Sequence, residues 1–212
     1  MNLFSTFDPS TGMMSMNWMS MIIPITMMPI KFWNNLNKTM LIMEKMNKMM
    51  LNEIKASLKL KGSSIMMISL MMMILMTNIN GLLPYVYTSS AQISFSMAMA
   101  LPLWISGMMY GWLNKPKSMF IHLIPMGTPP ILMPFMVMIE SISNIIRPGS
   151  LAIRLSANMI AGHLIMALLG SNTNLMTILI MMFMTLMIFE TAVSMIQAYV
   201  FMTLINLYSS EI

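Results

Sequence analysis

The sequence predicts an all-α protein that crosses a membrane several times and contains two long, tilted, membrane-embedded helices arranged as a hairpin. Its 212 residues are 58% hydrophobic and only 8% charged, whereas a soluble domain carries roughly 25% charged residues. The mean hydropathy is +0.77. Three runs without a formal charge, at 62–114, 118–139 and 155–189, each exceed the ~20 residues that cross a bilayer. We therefore expect residues 1–212 to form a single membrane domain.

Three candidate spans occupy the first half of the chain, at 13–30, 64–83 and 93–113. Pro24 and Pro29 weaken the first span, because a proline inside a helix removes a backbone hydrogen bond and clashes with the preceding turn. The second and third spans are apolar and have the length that a bilayer requires.

A basic segment at 31–61 separates the first span from the second. It holds seven lysines and two glutamates, a net charge of +5, while the four basic and four acidic residues elsewhere cancel. Apolar residues recur among the lysines at helical spacing, namely Met43, Met46, Met50, Ile54 and Leu58. This pattern predicts an amphipathic helix on the membrane surface; a solvated connector helix is the alternative. Lysines beside spans are a topological signal, so we expect lipid contact and no nucleic-acid partner.

Two further lysines set the topology. Lys115 and Lys117 follow the third span, so two spans separate them from the basic segment 31–61. Both basic regions can therefore lie on one positive-inside face of the membrane. The N-terminus then faces the opposite compartment.

The last third of the chain contains two apolar stretches that are too long for upright spans. The stretch 130–169 would extend about 60 Å and the stretch 175–207 about 50 Å at the rise of an α-helix, against ~30 Å of hydrocarbon. Pro148 and Gly149 could break the first stretch, but no polar loop surrounds them. We therefore predict two long tilted helices that form a hairpin around 171–174.

Each of these two helices carries one polar stripe. Seven residues of α-helix turn about 700°, which returns a side chain to nearly the same face. On the first helix the stripe comprises Glu140, Asn144, Arg147, Arg154 and Asn158. On the second helix it comprises Glu190, Ser194 and Gln197. For Arg147, beside a proline, a purely structural role in pairing or snorkelling is as compatible with the sequence as a functional one.

Arg154 is the member of the stripe that most needs an explanation. A guanidinium cannot be deprotonated in a protein, and a charge near the centre of a spanning helix costs about 2.5–3.5 kcal/mol on insertion scales. The nearest carboxylate on its own stripe, Glu140, lies about 21 Å away along the helix axis. The partner of Arg154 must therefore come from another helix or another chain, and we interpret this arginine as functional.

His163 belongs to a different surface, because nine residues after Arg154 place it on the opposite side of the helix. A lone buried histidine is usually a satisfied core residue, and Glu190 on the next helix is the partner we expect. Both groups can titrate near neutral pH, whereas Arg154 cannot. This combination suits a proton path. The chain has no cysteine, two histidines and no glycine-rich phosphate loop, so we expect no metal, cofactor or bound nucleotide.

Four stretches carry a specific resemblance. They are "NLFSTFDPST" at 2–11, "HLIPMGTPPILMPFMVMIESIS" at 122–143, "IRLSANMIAGHLI" at 153–165 and "FETAVSMIQAYVF" at 189–201. Over essentially its full length the chain resembles the subunit a family of mitochondrial F-type ATP synthases, in a form seen in arthropods. Its 37 methionines fit an AT-rich mitochondrial genome in which an additional codon specifies Met.

The resemblance implies a multi-pass subunit of the mitochondrial inner membrane, active in proton transport and ATP synthesis but not itself catalytic. It implies that the basic segment 31–61 faces the matrix and the N-terminus the intermembrane space. The implied partners are a ring of c subunits and other membrane and peripheral-stalk subunits. The implied roles are an essential charge that faces the ring and deprotonates its carboxyls, Arg154, and a lining of two aqueous half-channels, Asn158, His163, Glu190, Gln197 and Glu140.

Two other classes of function compete with this interpretation. A proton-path subunit of a quinone-linked respiratory complex or an antiporter also uses intramembrane charges, but it would carry lysine–glutamate relays across several spans. The interior spans here contain no lysine. A purely structural membrane subunit is disfavoured by the two polar stripes.

Overall fold

The structure is a computed structural model that describes residues 3–10, 14–28, 37–57, 63–124, 129–171 and 176–211. The described part is helical, and its α-helices are α1 (Ile23–Met27), α2 (Lys38–Ser57), α3 (Ser63–Gly81), α4 (Ile93–Asn114), α5 (Pro116–His122), α6 (Met133–Ser171) and α7 (Met176–Glu211). Three short 3-10 helices, Leu3–Phe7, Met16–Met21 and Ser89–Ala91, complete it. Four of the helices, α3, α4, α6 and α7, are long and apolar enough to cross a membrane.

The prediction of two long helices at the C-terminal end is confirmed. Helix α6 has 39 residues and α7 has 36, which correspond to about 58 Å and 54 Å of helix axis. Pro148 lies inside α6 without ending it, so the stretch is one helix and not a broken pair. The two helices pack against each other. Of the predicted turn 171–174, only Ser171 is among the described residues.

The first predicted span differs from the structure. Over 14–28 the chain forms the 3-10 helix Met16–Met21 and then the five-residue α1, while both ends of the candidate span 13–30 lie outside the described residues. Five residues rise only about 7.5 Å. Pro24 occupies the first turn of α1, the place where a helix tolerates proline. Met28 is already extended, as the residue before a proline prefers to be.

Helix α2 has a buried face. It packs against α3 and α7, and its Ile54 is completely buried in the core that these helices share. The Tyr199 hydroxyl on α7 donates a hydrogen bond to Glu53 Oε2 on α2 over 3.2 Å. The helical part of the basic segment is therefore docked on the spanning helices along its apolar side, which differs from a connector solvated all round.

The core lies where α3, α4, α6 and α7 meet. Its fully buried side chains include Met71 and Ile74 of α3, Leu155 of α6, and Phe201 and Met202 of α7. Unbranched methionine fills irregular gaps between helices, which is how a chain so rich in this residue still packs. The long outer faces of α6 and α7 remain exposed and apolar, as expected of surfaces that meet lipid or another membrane protein.

Candidate functional site

Arg154 lies on the uncovered face of α6. Its side chain is exposed, and among the described residues none forms a hydrogen bond or an ion pair with it. Three small residues of the same face, Ser150, Ala157 and Ala161, are exposed beside it, so another helix could approach the α6 backbone closely there. The charge is therefore presented outward, away from the rest of the described chain.

Arg147 is satisfied within the chain. Its Nη2 lies 3.5 Å from Glu140 Oε1, and its guanidinium stacks over the Tyr208 ring of α7 at 5.2 Å from the ring centre. The ion pair lies within α6, and the cation–π contact ties the first half of α6 to the end of α7. The structure thus pairs Arg147 within the chain, a contact that is compatible with either of the roles that the sequence left open.

Asn158 and Gln197 connect the middle of α6 to α7. Asn158 Nδ2 donates to Gln197 Oε1 over 3.0 Å. Gln197 is 6% exposed, and its Nε2 has no hydrogen-bond partner among the described residues. A buried amide with free donors is costly, so this pair holds unused hydrogen-bonding capacity one helical turn from Arg154.

Glu190 fits against a glycine of the facing helix. Its side chain is 6% exposed, and both carboxylate oxygens lie where a Cβ atom at Gly162 would be. Any larger residue at 162 would therefore occupy the space of the carboxylate. No hydrogen bond or ion pair joins Glu190 to His163 in the described part of the chain, so the structure does not pair these two residues directly.

His163 instead contacts other elements. The imidazole lies near the backbone of Gly81 at the end of α3, and its Nε2 is buried with no hydrogen-bond partner among the described residues. The Phe7 ring meets the imidazole edge-on, with 6.4 Å between ring centres. His163 is therefore held by α3 and the first residues of the chain, and not by Glu190.

Two cavities of about 530 Å³ each lie at opposite ends of the helical bundle. The first, which we call the basic-end cavity, lies between the start of α3, the end of α4, the first half of α6 and the end of α7. It is next to the junction of α4 and α5, which carries Lys115 and Lys117. The second, the N-terminal cavity, lies between residues 5–8, the α3–α4 connection, the second half of α6 and the first half of α7. Each has the volume of on the order of ten water molecules.

Two of the six predicted site residues line these cavities, one in each. Glu140, Asn144 and Arg147 line the basic-end cavity, and His163 lines the N-terminal cavity. Arg154 lines neither; by helical rise it is about 10 Å from Arg147 and about 14 Å from His163 along α6. The remaining predicted residues also lie outside both cavities, namely Asn158, Glu190 and Gln197.

Three residues of these cavities were not predicted from the sequence. Tyr208 holds Arg147, and Phe7 and Asp8 form part of the N-terminal cavity. Tyr208 and Phe7 are ordinary aromatic residues in the sequence and carry no signal of this role. Asp8 did carry a signal in the sequence, since it is the only charged residue among the first 30.

Comparison with known proteins assigns the chain to a family. The family profile described as ATP synthase A chain matches residues 13–210. ATP synthase subunit a of Locusta migratoria is 48% identical over 221 residues, which cover 100% of this chain and 98% of that protein. Those of Anopheles gambiae and Drosophila melanogaster are 46% and 47% identical with the same coverage. The chain therefore belongs to the ATP synthase A chain family.

Proposed function

We propose that this chain is the proton-conducting stator subunit of a mitochondrial ATP synthase, in which Arg154 faces a rotating ring of carboxyl-bearing c subunits between two half-channels. The observation that carries the proposal is the placement of an outward-facing arginine between cavities at the two ends of the bundle. Family membership supports the role in the membrane sector and disfavours the quinone-linked or antiporter alternative. The chain itself binds no nucleotide in this proposal.

Arg154 acts on the ring as a fixed positive charge. A ring carboxyl must be neutral while it faces lipid, because an unpaired charge in hydrocarbon is too costly. When it reaches Arg154, the opposite charge favours the carboxylate form, and the planar guanidinium can bind both oxygens. The carboxyl therefore releases its proton on one side, takes up another on the other side, and returns neutral to lipid. Each charge that crosses gains about 2.3 kcal/mol per 100 mV of membrane potential.

In this proposal each cavity opens to one side of the membrane. The basic-end cavity, with Glu140, opens to the matrix because lysine-rich loops face that compartment under the positive-inside rule. The N-terminal cavity, with His163, opens to the intermembrane space, and Glu190 carries the proton from there toward the ring. The bond between Asn158 and Gln197 holds α6 and α7 in register beside Arg154. Other membrane and peripheral-stalk subunits hold the chain against the ring.

Glu190→Gln tests the proton path. The amide has nearly the same shape as the carboxyl but cannot exchange a proton, so we expect proton-driven ATP synthesis to fall roughly tenfold or more while the complex still assembles. The measurement is ATP synthesis and proton flux in inner-membrane vesicles that carry the variant chain. Glu44→Gln is the matched control, because Glu44 pairs with Lys48 on α2 at 2.9 Å, outside both cavities.

Normal flux in the Glu190→Gln variant over the whole pH range would contradict the assignment. The amount of assembled complex must be measured in parallel, so that a loss of flux is not a loss of protein. If Glu44→Gln lowered the flux as much as Glu190→Gln, the effect would reflect lost negative charge and not proton transfer at 190.

A further inference from the structure

The first residues of the chain form a wall of the N-terminal cavity. Gln92 Nε2 donates to the Phe7 carbonyl over 2.8 Å, and the Tyr87 hydroxyl lies 3.4 Å from the same oxygen. Gln92 also donates to the Tyr87 oxygen over 2.9 Å, so two mutually bonded side chains hold the backbone at residue 7. On the other side, the Phe7 ring rests against His163. The segment is thus fastened between the α3–α4 connection and α6.

Asp8 follows directly at this wall. It lines the N-terminal cavity and is the only carboxylate among the described residues that do so, while its side chain remains exposed. The Ser10 N–H donates to Asp8 Oδ1 over 3.0 Å, and Asn17 Nδ2 donates to the Asp8 carbonyl over 3.3 Å. The bonds from Ser10 hold the pKa of Asp8 below its usual value, so the group is ionised at neutral pH.

We propose that Asp8 is a proton-collecting residue, a fixed negative charge at the mouth of the N-terminal cavity that raises the local proton concentration available to His163. The proposal rests on the proposed function and extends it to the segment before the first predicted span. Asp8 and His163 both line the N-terminal cavity, and the Phe7 ring packs edge-on against the imidazole.

The size of the effect follows from electrostatics. In water a unit charge about 8 Å away raises the local concentration of an opposite unit charge roughly two- to threefold. Cavity walls of low dielectric focus the field further. Salt weakens it, because the Debye length falls from about 30 Å at 0.01 M to about 8 Å at 0.15 M ionic strength. Collection by Asp8 must therefore depend on salt, whereas a structural role of the same residue must not.

Asp8→Asn isolates the charge. The asparagine side-chain oxygen can still accept the Ser10 N–H, so the turn is kept while the negative charge is lost. With intact complex in inner-membrane vesicles at low buffer concentration, we expect proton uptake from the N-terminal side to fall about two- to threefold at 0.01 M salt. The difference from the unmodified chain should vanish as salt rises toward 0.5 M. Asp8→Glu should retain the salt-dependent uptake, and Glu44→Gln, the same loss of charge on α2, should leave it unchanged.

Two results would overturn the proposal. A loss of uptake in Asp8→Asn that is equal at low and high salt would mean that Asp8 only holds the segment in place. Unchanged uptake at low salt would mean that its charge plays no part. Glu190→Gln in the same vesicles separates these outcomes from a failure of the proposed function. If Glu190→Gln also left proton uptake unchanged, the proposed proton path would be wrong, and not only the role of Asp8 at its entrance.

Discussion

Arg154→Lys is expected to abolish coupled ATP synthesis, even though the charge is formally conserved. A lysine ammonium in a desolvated site can lose its proton, whereas a guanidinium cannot. Lysine also lacks the planar fork that holds a carboxylate at two points. The exposed position of Arg154, with no partner in the described chain, makes these properties decisive, since nothing else on α6 would fix the charge.

Arg154→Ala tests whether Arg154 blocks the direct passage of protons or only binds the ring carboxyl. Without the cation, a ring carboxyl could pass the interface while still protonated, and we expect passive proton leakage as well as loss of synthesis. Proton flux is measured through membranes stripped of the catalytic head, and ATP synthesis in intact ones. Near-normal synthesis by the lysine variant would show that any positive charge suffices, and the argument from permanent protonation would then fail.

Gly162→Ala is expected to impair proton transport through a position that carries no charge. A methyl group at 162 would take the place of the Glu190 carboxylate, and the flexible glutamate side chain would move away. Because small displacements of a reacting group cost up to a hundredfold in rate, we expect proton flux to drop roughly ten- to a hundredfold. The free energy of unfolding should change little, since the atoms that yield are at the end of a side chain.

Gly149→Ala is the matched control for this variant. It adds the same methyl group to the same helix, but nothing lies within 4 Å of the new atom. Replacing a helix-interior glycine by alanine stabilises a helix by about 0.5–1 kcal/mol, so flux should be normal and thermal stability equal or higher. If both variants lowered the flux equally, flexibility of α6 and not the position of Glu190 would be responsible.

The fold could be predicted largely from local sequence. Helices α6 and α7 follow from long apolar stretches whose few charged residues lie at helical spacing, and no polar loop surrounds Pro148 to end α6 there. The structure of the segment 14–28 was harder to predict. It is apolar enough for a span, but Pro24 and Pro29 restrict the backbone at two places, and the α-helix between them shrinks to five residues.

The candidate site could be predicted only where one helix determines it. That Arg147 and Arg154 share one stripe follows from the helical period. That Arg147 is paired within the chain while Arg154 is exposed does not follow from it. Arg147 pairs with Glu140 of its own helix and contacts the Tyr208 ring of α7, and the second contact depends on how α6 and α7 cross. The same crossing places Glu190 at Gly162, while His163, one residue later and about 100° further round the helix, turns toward Gly81 and Phe7.

The outward arginine of α6 also bears on how the complex is built. A newly inserted chain that has not met its neighbour keeps this cation against lipid, at a cost of about 2.5–3.5 kcal/mol. Relief of that cost alone shifts the equilibrium between the chain docked on its neighbour and the chain alone roughly a hundredfold toward the docked chain. In the proposed arrangement, the arginine that acts on the ring also makes a chain without its ring the least stable species in the membrane, which favours completion of the assembly.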